Sequence, residues 1–485
     1  MHSHAMRFAM RALGLLTVVA AMGAAPSDPL AAIARANGHL AAVHLRASAT
    51  RTVEGRTVVT TLEQLGTARL FRRCVAEVCG GIWFDGRRLW RFGLNEVPLP
   101  EAVDAATRRM RTFAAIASLA FAEPDFVAAG GVVSPQGPAR WRVRASGGDE
   151  LIAVLDPATL ALRRVETPRG ETLAEYGPPV RAGGASFALR RDGPEESGPL
   201  DAVSVLAGPL EPPNGAAAAF GDDAWTPLAD PALPVIACSL GGVAARCLLD
   251  SGSTPSSVTL ALAERLGLEP RGELQIESLG SFATGFVEAG PLVAGGASFA
   301  RARFAVVPAE RAARFDVVVG ADLLGRVELA LDGARRRARV SAPGPAPPGA
   351  IPLDLGQGVP LVGVALDGAP VTALLDTGDE ATFSLGYAMY REGPQWPPAG
   401  RVAARGVVGA EDAFLVDIPD VRAGARDLGR VRAVVQRTQV VPHLGDGAWA
   451  RSGLTLDEAA GAFWFEAPKI GGRKTYLGRS PRDGR

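Results

Sequence analysis

Two short segments set an aspartate between apolar residues and a hydroxyl-glycine pair: Leu248-Leu249-Asp250-Ser251-Gly252-Ser253 and Leu374-Leu375-Asp376-Thr377-Gly378-Asp379. Each reads as a carboxylate at the end of a buried strand, held on a tight turn. The glycine lets backbone approach closely, and its amide can donate to the carboxylate. The hydroxyl of Ser251 or Thr377 can tie one turn to the other across a twofold axis. Two carboxylates a few ångströms apart cannot both ionise cheaply, so they share one proton and titrate as a coupled pair. The ionised member can take a proton from a water attacking a carbonyl, while the protonated member stabilises the developing oxyanion. Such chemistry needs no cofactor and no covalent intermediate. The chain has neither a Gly-x-Ser-x-Gly elbow nor a His-Glu-x-x-His helix that would point elsewhere.

The elements that carry these turns repeat. Residues 234–254 overlie 360–380 without a gap, Asp250 falling on Asp376. Further on, Gly320 to Asp332 (GADLLGRVELALD) overlies Gly445 to Asp457 (GDGAWARSGLTLD) at an offset shorter by one residue. Each copy reads as short alternating strands punctuated by turn glycines, without the long helices that a parallel sheet requires. The expected fold is mainly β: two homologous lobes, 230–340 and 352–468, forming a pseudo-twofold pair.

On these residues the two lobes resemble retropepsin-like and pepsin-like aspartic proteases, over about 230–468. In that family the aspartate turn is followed by a short helix and a flap hairpin, and a hydrophobic-hydrophobic-Gly strand threads beside the turn. Lobe one offers the helix-like TLALAERLGL, a flap segment SLGSFATGF and Val318-Val319-Gly320. Lobe two offers a flap segment GVVGAEDAF and His443-Leu444-Gly445. The resemblance implies catalytic roles for Asp250 and Asp376, supporting turns at Ser251, Gly252, Ser253, Thr377 and Gly378, and adjacent strands at Gly320 and Gly445. It also implies an extended peptide or protein substrate, paired strand-like with the flaps. With both lobes in one chain, the site assembles in a monomer.

Lobe two departs from the family at Asp379, where Ser, Thr or Ala is usual, and Glu380 follows it. These carboxylates either point to solvent or, if Asp379 faces the pair, add a third negative charge that raises its pKa and moves activity towards neutral pH or abolishes it, the milder outcome being expected because Asp376-Thr377-Gly378 is intact. His443 shows no acid or nucleophile partner in the sequence and reads as a structural strand residue. Asp332 and Asp457 recur with the repeat, and the resemblance implies a structural role for them, since in the family this position usually closes a surface turn.

The chain has 485 residues, 47% of them hydrophobic, with 51 basic against 51 acidic residues. That balance favours neither nucleic acid nor a membrane surface as partner. Residues 1–25 hold His2, His4, Arg7 and Arg11 ahead of an apolar run that is too short for a transmembrane helix; this reads as a secretory signal and predicts a periplasmic or secreted protein with no transmembrane anchor. Segment 27–195 has a helix over PLAAIARANGHLAAVHL, a second helix from Glu101, and antiparallel strands: an α+β domain with a curved antiparallel sheet. Its phrases FDGRRLWRF and LDPATLALRRVE resemble the periplasmic lipoprotein-carrier half-barrels, which implies an apolar ligand for this domain.

Pro/Gly-rich composition marks linkers at 193–200 and 341–350, the connections being taken as 196–229 and 341–351, and the basic end, 469–485, reads as a disordered tail. An oxidising compartment allows disulfides. Cys74 and Cys79 are the better candidate pair; Cys238 and Cys247 flank a turn diagonally and are equally compatible with a bridge and with two buried thiols. Neither pair has zinc-ligand spacing, so a metal site is not expected. The leading expectation is an exported aspartic endopeptidase. Two alternatives stand beside it: a non-catalytic periplasmic binding protein for a lipid, lipoprotein or peptide on a degenerate protease scaffold, and an N-terminal domain that covers the cleft as a propiece.

Overall fold

A computed structural model of the chain describes residues 28–100, 104–188, 190–192, 198–277, 281–308, 314–406 and 409–466. The expected signal segment and basic tail lie outside them. Strands hold 50% of the residues and helices 13%. No helix among the described residues is long and apolar enough to cross a membrane.

The first helix, Pro29–Asn37, starts where the Asp28 carboxylate accepts from the Leu30 amide and stops at Gly38, whose φ of 68° breaks the helical path. It is therefore shorter than its alanine-rich sequence suggests: the chain continues through a short turn at Leu40–Ala42 and becomes strand at Leu45. The second helix, Asp104–Ala117, buries Met110, Phe113, Ala114 and Ala117 at the 3-4 spacing of one apolar face. The strands around it form two seven-stranded antiparallel sheets rather than one continuous sheet, because the chain leaves the first at Leu99–Pro100, passes through this helix and begins the second at Val132–Gly137. Both sheets and both helices share one core, with Phe84, Phe121, Val143 and Val165 in it.

The stretch expected to link this region to the lobes is instead built into its neighbours. Ala202–Val205 adds to the edge of the first sheet beside Leu45–Val53, Ala218–Phe220 pairs with Ala297–Phe299, and Thr226–Pro227 pairs with the strand Arg337–Ser341. Pro and Gly punctuate these strands without displacing them, since two- to four-residue edge strands need few ladder bonds. By contrast, 342–350 contains no helix or strand.

The two halves of the repeat fold with one strand order. In the first half it runs Val235–Leu240, Val243–Asp250, Val317–Gly320, Ser257–Thr259, Ala302–Val307, Ser281–Ala289, Arg271–Glu277. In the second it runs Leu361–Leu366, Ala369–Leu375, His443–Leu444, Phe383–Gly386, Arg426–Gln436, Ala410–Ala423, Pro398–Arg405, with an extra pairing between Leu361–Leu366 and Ala410–Ala423 closing the sheet. The last two strands of each series are a hairpin at the position of the expected flap; residues 278–280 and 407–408 at their tips lie outside the described residues. A six-stranded sheet joins the halves. At its centre Glu328–Asp332 runs antiparallel to Gly453–Asp457 with Ala330 opposite Thr455, so the strands that end the two repeats meet about the pseudo-twofold axis.

Both cysteine pairs are disulfides. Cys74 and Cys79 are direct cross-strand neighbours, and Cys238 reaches Cys247 diagonally across the Val235–Leu240/Val243–Asp250 hairpin, which decides between the two readings left open for that pair. Asp332 accepts from the Arg335 amide and Asp457 from those of Ala460 and Gly344, the turn-closing work expected of them.

Candidate active site

Asp250 ends a strand that runs parallel to Val317–Gly320, with Gly320 opposite the aspartate itself. Asp376 follows a strand that runs parallel to His443–Leu444. The two glycines after these inner strands are needed for close approach rather than flexibility. A Cβ on Gly320 would lie 2.4 Å from the Ser253 carbonyl oxygen, and one on Gly445 2.4 Å from that of Ala381. Both are closer than any carbon can come, so a side chain at either position would push the aspartate turn out of place.

The turns grip each other reciprocally. The Ser251 amide donates to Thr377 Oγ1 at 2.9 Å, and Thr377 Oγ1 donates to the Leu249 carbonyl at 2.7 Å. In return the Thr377 amide donates to Ser251 Oγ at 3.1 Å, and Ser251 Oγ donates to the Leu375 carbonyl at 2.6 Å. Both hydroxyl residues are fully buried, so every bond here replaces one that water cannot make. Within each turn the glycine amide serves its own aspartate: Gly252 N donates to Asp250 Oδ1 at 3.0 Å, Gly378 N to Asp376 Oδ1 at 2.8 Å. Across the axis the relation is crossed. A Cβ on Gly252 would sit 2.4 Å from the Asp376 carboxyl carbon, and one on Gly378 2.5 Å from that of Asp250. The two carboxyls therefore stack against opposing glycines and reach each other by a side-chain hydrogen bond.

Their environments push them apart. Burial raises the Asp250 pKa well above the ordinary carboxylate range, and the neighbouring Asp376 raises it further. Asp376 is as deeply buried, but its contacts with His443, through a hydrogen bond and opposite charge, outweigh burial and hold it low. The two surroundings thus act in opposite directions on one coupled pair, favouring the protonated form at Asp250 and the charged form at Asp376.

Residues 236–323 match the family described as Aspartyl protease. That stretch of the chain, which carries Asp250, Ser251, Gly252, Ser253 and Gly320, is an aspartyl protease domain. Asp376 and its turn lie beyond the match, in the half with the same strand order. No curated protein matches the chain.

Around the protease-type turns, the structure corrects the reading of His443. Its Nδ1 lies 3.0 Å from Asp376 Oδ2 and 3.7 Å from Asp379 Oδ2, so the side chain has two acid partners. Burial alone would lower its pKa; the adjacent carboxylates of Asp376 and Asp379 overcome that and lift it to about 10. Polar atoms of the three side chains all lie within 4.8 Å of one another, a grouping that sequence spacing gave no sign of. Here the imidazolium is the cation between two carboxylates. Asp379 therefore faces the pair, while Glu380 turns outward to Arg314, which also bonds Asp230 of the first lobe. Repeat alignment held a signal for His443, since it stands where lobe one has Val318.

Sequence reasoning also missed Asn95. This residue from the N-terminal region donates to Asp322 Oδ2 at 2.7 Å and exchanges bonds with the Arg303 backbone. Asp322 in turn accepts from the Ser256 amide and hydroxyl, and Ser256 Oγ accepts from the Gly320 amide. A buried chain of hydrogen bonds thus leads from the N-terminal region to the glycine opposite Asp250.

Proposed function

We propose that this protein is an exported aspartic endopeptidase in which Asp250 and Asp376 act together on one water molecule. The observation that carries the reading is the reciprocal Ser251/Thr377 grip, which holds two buried carboxyls of different proton affinity against each other. Water bound between them loses a proton to the Asp376 carboxylate as its oxygen bonds to the scissile carbonyl carbon. The carbonyl oxygen takes the Asp250 proton, and on collapse the C–N bond breaks as the amine nitrogen receives the proton held by Asp376. The proton of the second hydroxyl returns to Asp250, which regenerates the starting state. Hairpins at Arg271–Glu277/Ser281–Ala289 and Pro398–Arg405/Ala410–Ala423 offer strand edges to an extended peptide.

Two disulfides support an oxidising compartment, periplasmic or extracellular. For the N-terminal region the contacts favour a brace over a carrier. The space around Asp104–Ala117 is filled by core side chains, and the cavity beside Leu40, Ala117 and Tyr176 measures about 20 Å³, room for a water rather than a lipid. Meanwhile Arg56 pairs with Glu273 and Glu77 with Arg271, both on the outer strand of the first hairpin.

The test is cleavage of a mixed peptide library from pH 3 to 8 by the wild type and by Asp250→Asn and Asp376→Asn. Cleavage by the wild type, reduced by roughly 10²-fold or more in each variant, is the expected result. A folded wild type that cleaves nothing at any pH would sink the reading.

A further inference from the structure

The His443 and Asp379 pair stands against the reacting carboxyls only on the lobe-two side. Lobe one has Val318 and Ser253 in the matching places, and Val318 packs in an apolar cluster with Leu233, Val235, Leu248 and Phe315. We propose that His443, seated by Asp379, is a positioning residue that keeps the shared proton on Asp250 and the negative charge on Asp376, so that the two aspartates have fixed rather than exchangeable roles. The proposal rests on the peptidase reading above.

Geometry makes the case. A pair of aspartates related by a twofold axis has no intrinsic reason to prefer either proton location. The imidazole breaks that equivalence because its Nδ1 is 3.0 Å from Asp376 Oδ2. Asp379 approaches the same nitrogen, its Oδ1 held by the Ala381 amide at 2.9 Å and its buried Oδ2 3.7 Å from Nδ1 with no hydrogen-bond partner. A neutral imidazole beside two carboxylates would leave their repulsion unscreened; a protonated one attracts both through the same nitrogen.

The charged groups that face this unit are Asp376 and Asp379 at the ring nitrogen, Asp250 across the axis, and Asp446, which lies near Arg336, Glu380 and Asp379. Since His443 adds one positive charge and Asp379 one negative, the two offset each other in their effect on the dyad. The lobe-two turn thus carries an extra acid without forcing the dyad's proton uptake to higher pH.

That balance makes opposite predictions for the single variants. His443→Val leaves Asp379 unscreened and should move both limbs of the kcat/KM pH profile upward by about one unit. Asp379→Ser leaves the cation unopposed and should move them downward by a comparable amount. The double variant reproduces the lobe-one residues and should return close to the wild-type profile. Profiles that do not move, or that move in one direction for both single variants, would overturn the proposal. So that a failure of peptidase activity is not mistaken for a failure of this inference, the His443 ring is also followed by NMR pH titration in the full-length protein. Protonation persisting beyond pH 8 and falling by about one unit or more in Asp379→Ser supports the pair even if no peptide is cleaved. Titration near 6.5 in the wild type, the ordinary histidine value, would refute it.

Discussion

The two lobes share a strand order and differ in what surrounds it. Lobe one is apolar beside its aspartate, with Val318 and Ser253, and commits its polar residues to the back of the turn, where Asp322 and Ser256 tie the inner strand to Asn95. Lobe two reverses this. Gly447 stands at the place of Asp322 and packs against Thr382, while the charges gather in front, with His443 beside Asp376 and Asp379, and Asp446 beyond Asp379. One scaffold thus supports two kinds of turn, one fixed from behind by a neighbouring domain and the other fixed from in front by its own ion pair. Symmetry holds for the backbone, where packing and the reciprocal grip demand it. It fails for the side chains, where an asymmetric proton is useful.

The largest effect on stability is expected where the lobes are still equivalent. Thr377→Val removes a hydroxyl that both accepts and donates, and it strands the buried Ser251 amide and Leu249 carbonyl. Two orphaned groups should cost about 3 kcal/mol, and Ser251→Ala should cost a similar amount by the mirror-image loss. Urea unfolding followed by tryptophan fluorescence reads both. A difference of more than about 2 kcal/mol between them would mean that the grip itself is asymmetric. Asn95→Ala comes next and breaks only the lobe-one side. It deletes the bonds to Asp322 and to Arg303, leaving a fully buried carboxylate short of a partner, for a loss of about 2 kcal/mol. If the buried chain to Gly320 also positions Asp250, kcat should fall in this variant while KM holds.

Legibility in the sequence follows the same division. The repeat, both Asp-hydroxyl-Gly turns and the inner glycines were readable because backbone geometry constrains residue type there: no other residue fits against Ser253 or Ala381. Partners joined only by the tertiary fold were not. Asn95 and Asp322 are 227 positions apart, and nothing local marks either. His443 seemed partnerless because Asp376 and Asp379 meet it only once the parallel pairing of Leu374 with His443 is formed. Its placement against Val318 in the repeat, together with Asp379 against Ser253, was the available clue: two ionisable replacements arriving together, of opposite sign. The strands between 198 and 227 were hidden by Pro and Gly, which mark a break in a long strand but are tolerated in short edge pieces.

The smallest effect concerns Asp446, where lobe one has Ala321. Burial lifts its pKa to about 7, with Arg336 opposing and Glu380 and Asp379 adding to the rise. The folded value lies above the unfolded one, near 4, so the folded protein holds this proton more tightly. The stability it contributes is fully present below about pH 4 and is lost as pH rises through 7. Asp446→Ala should therefore flatten that slope, the variant gaining on the wild type as pH rises from about 5 to about 8 in thermal unfolding. The window is what separates this residue from the ion pair beside it: the His443 contribution, with a folded pKa of about 10 against an ordinary 6.5, is fully present below 6.5 and is lost only as pH rises through 10. A gain of the same size at pH 5 and at pH 8 would mean that alanine is favoured for packing alone, and the charge difference between the two lobes would then stop at Asp379.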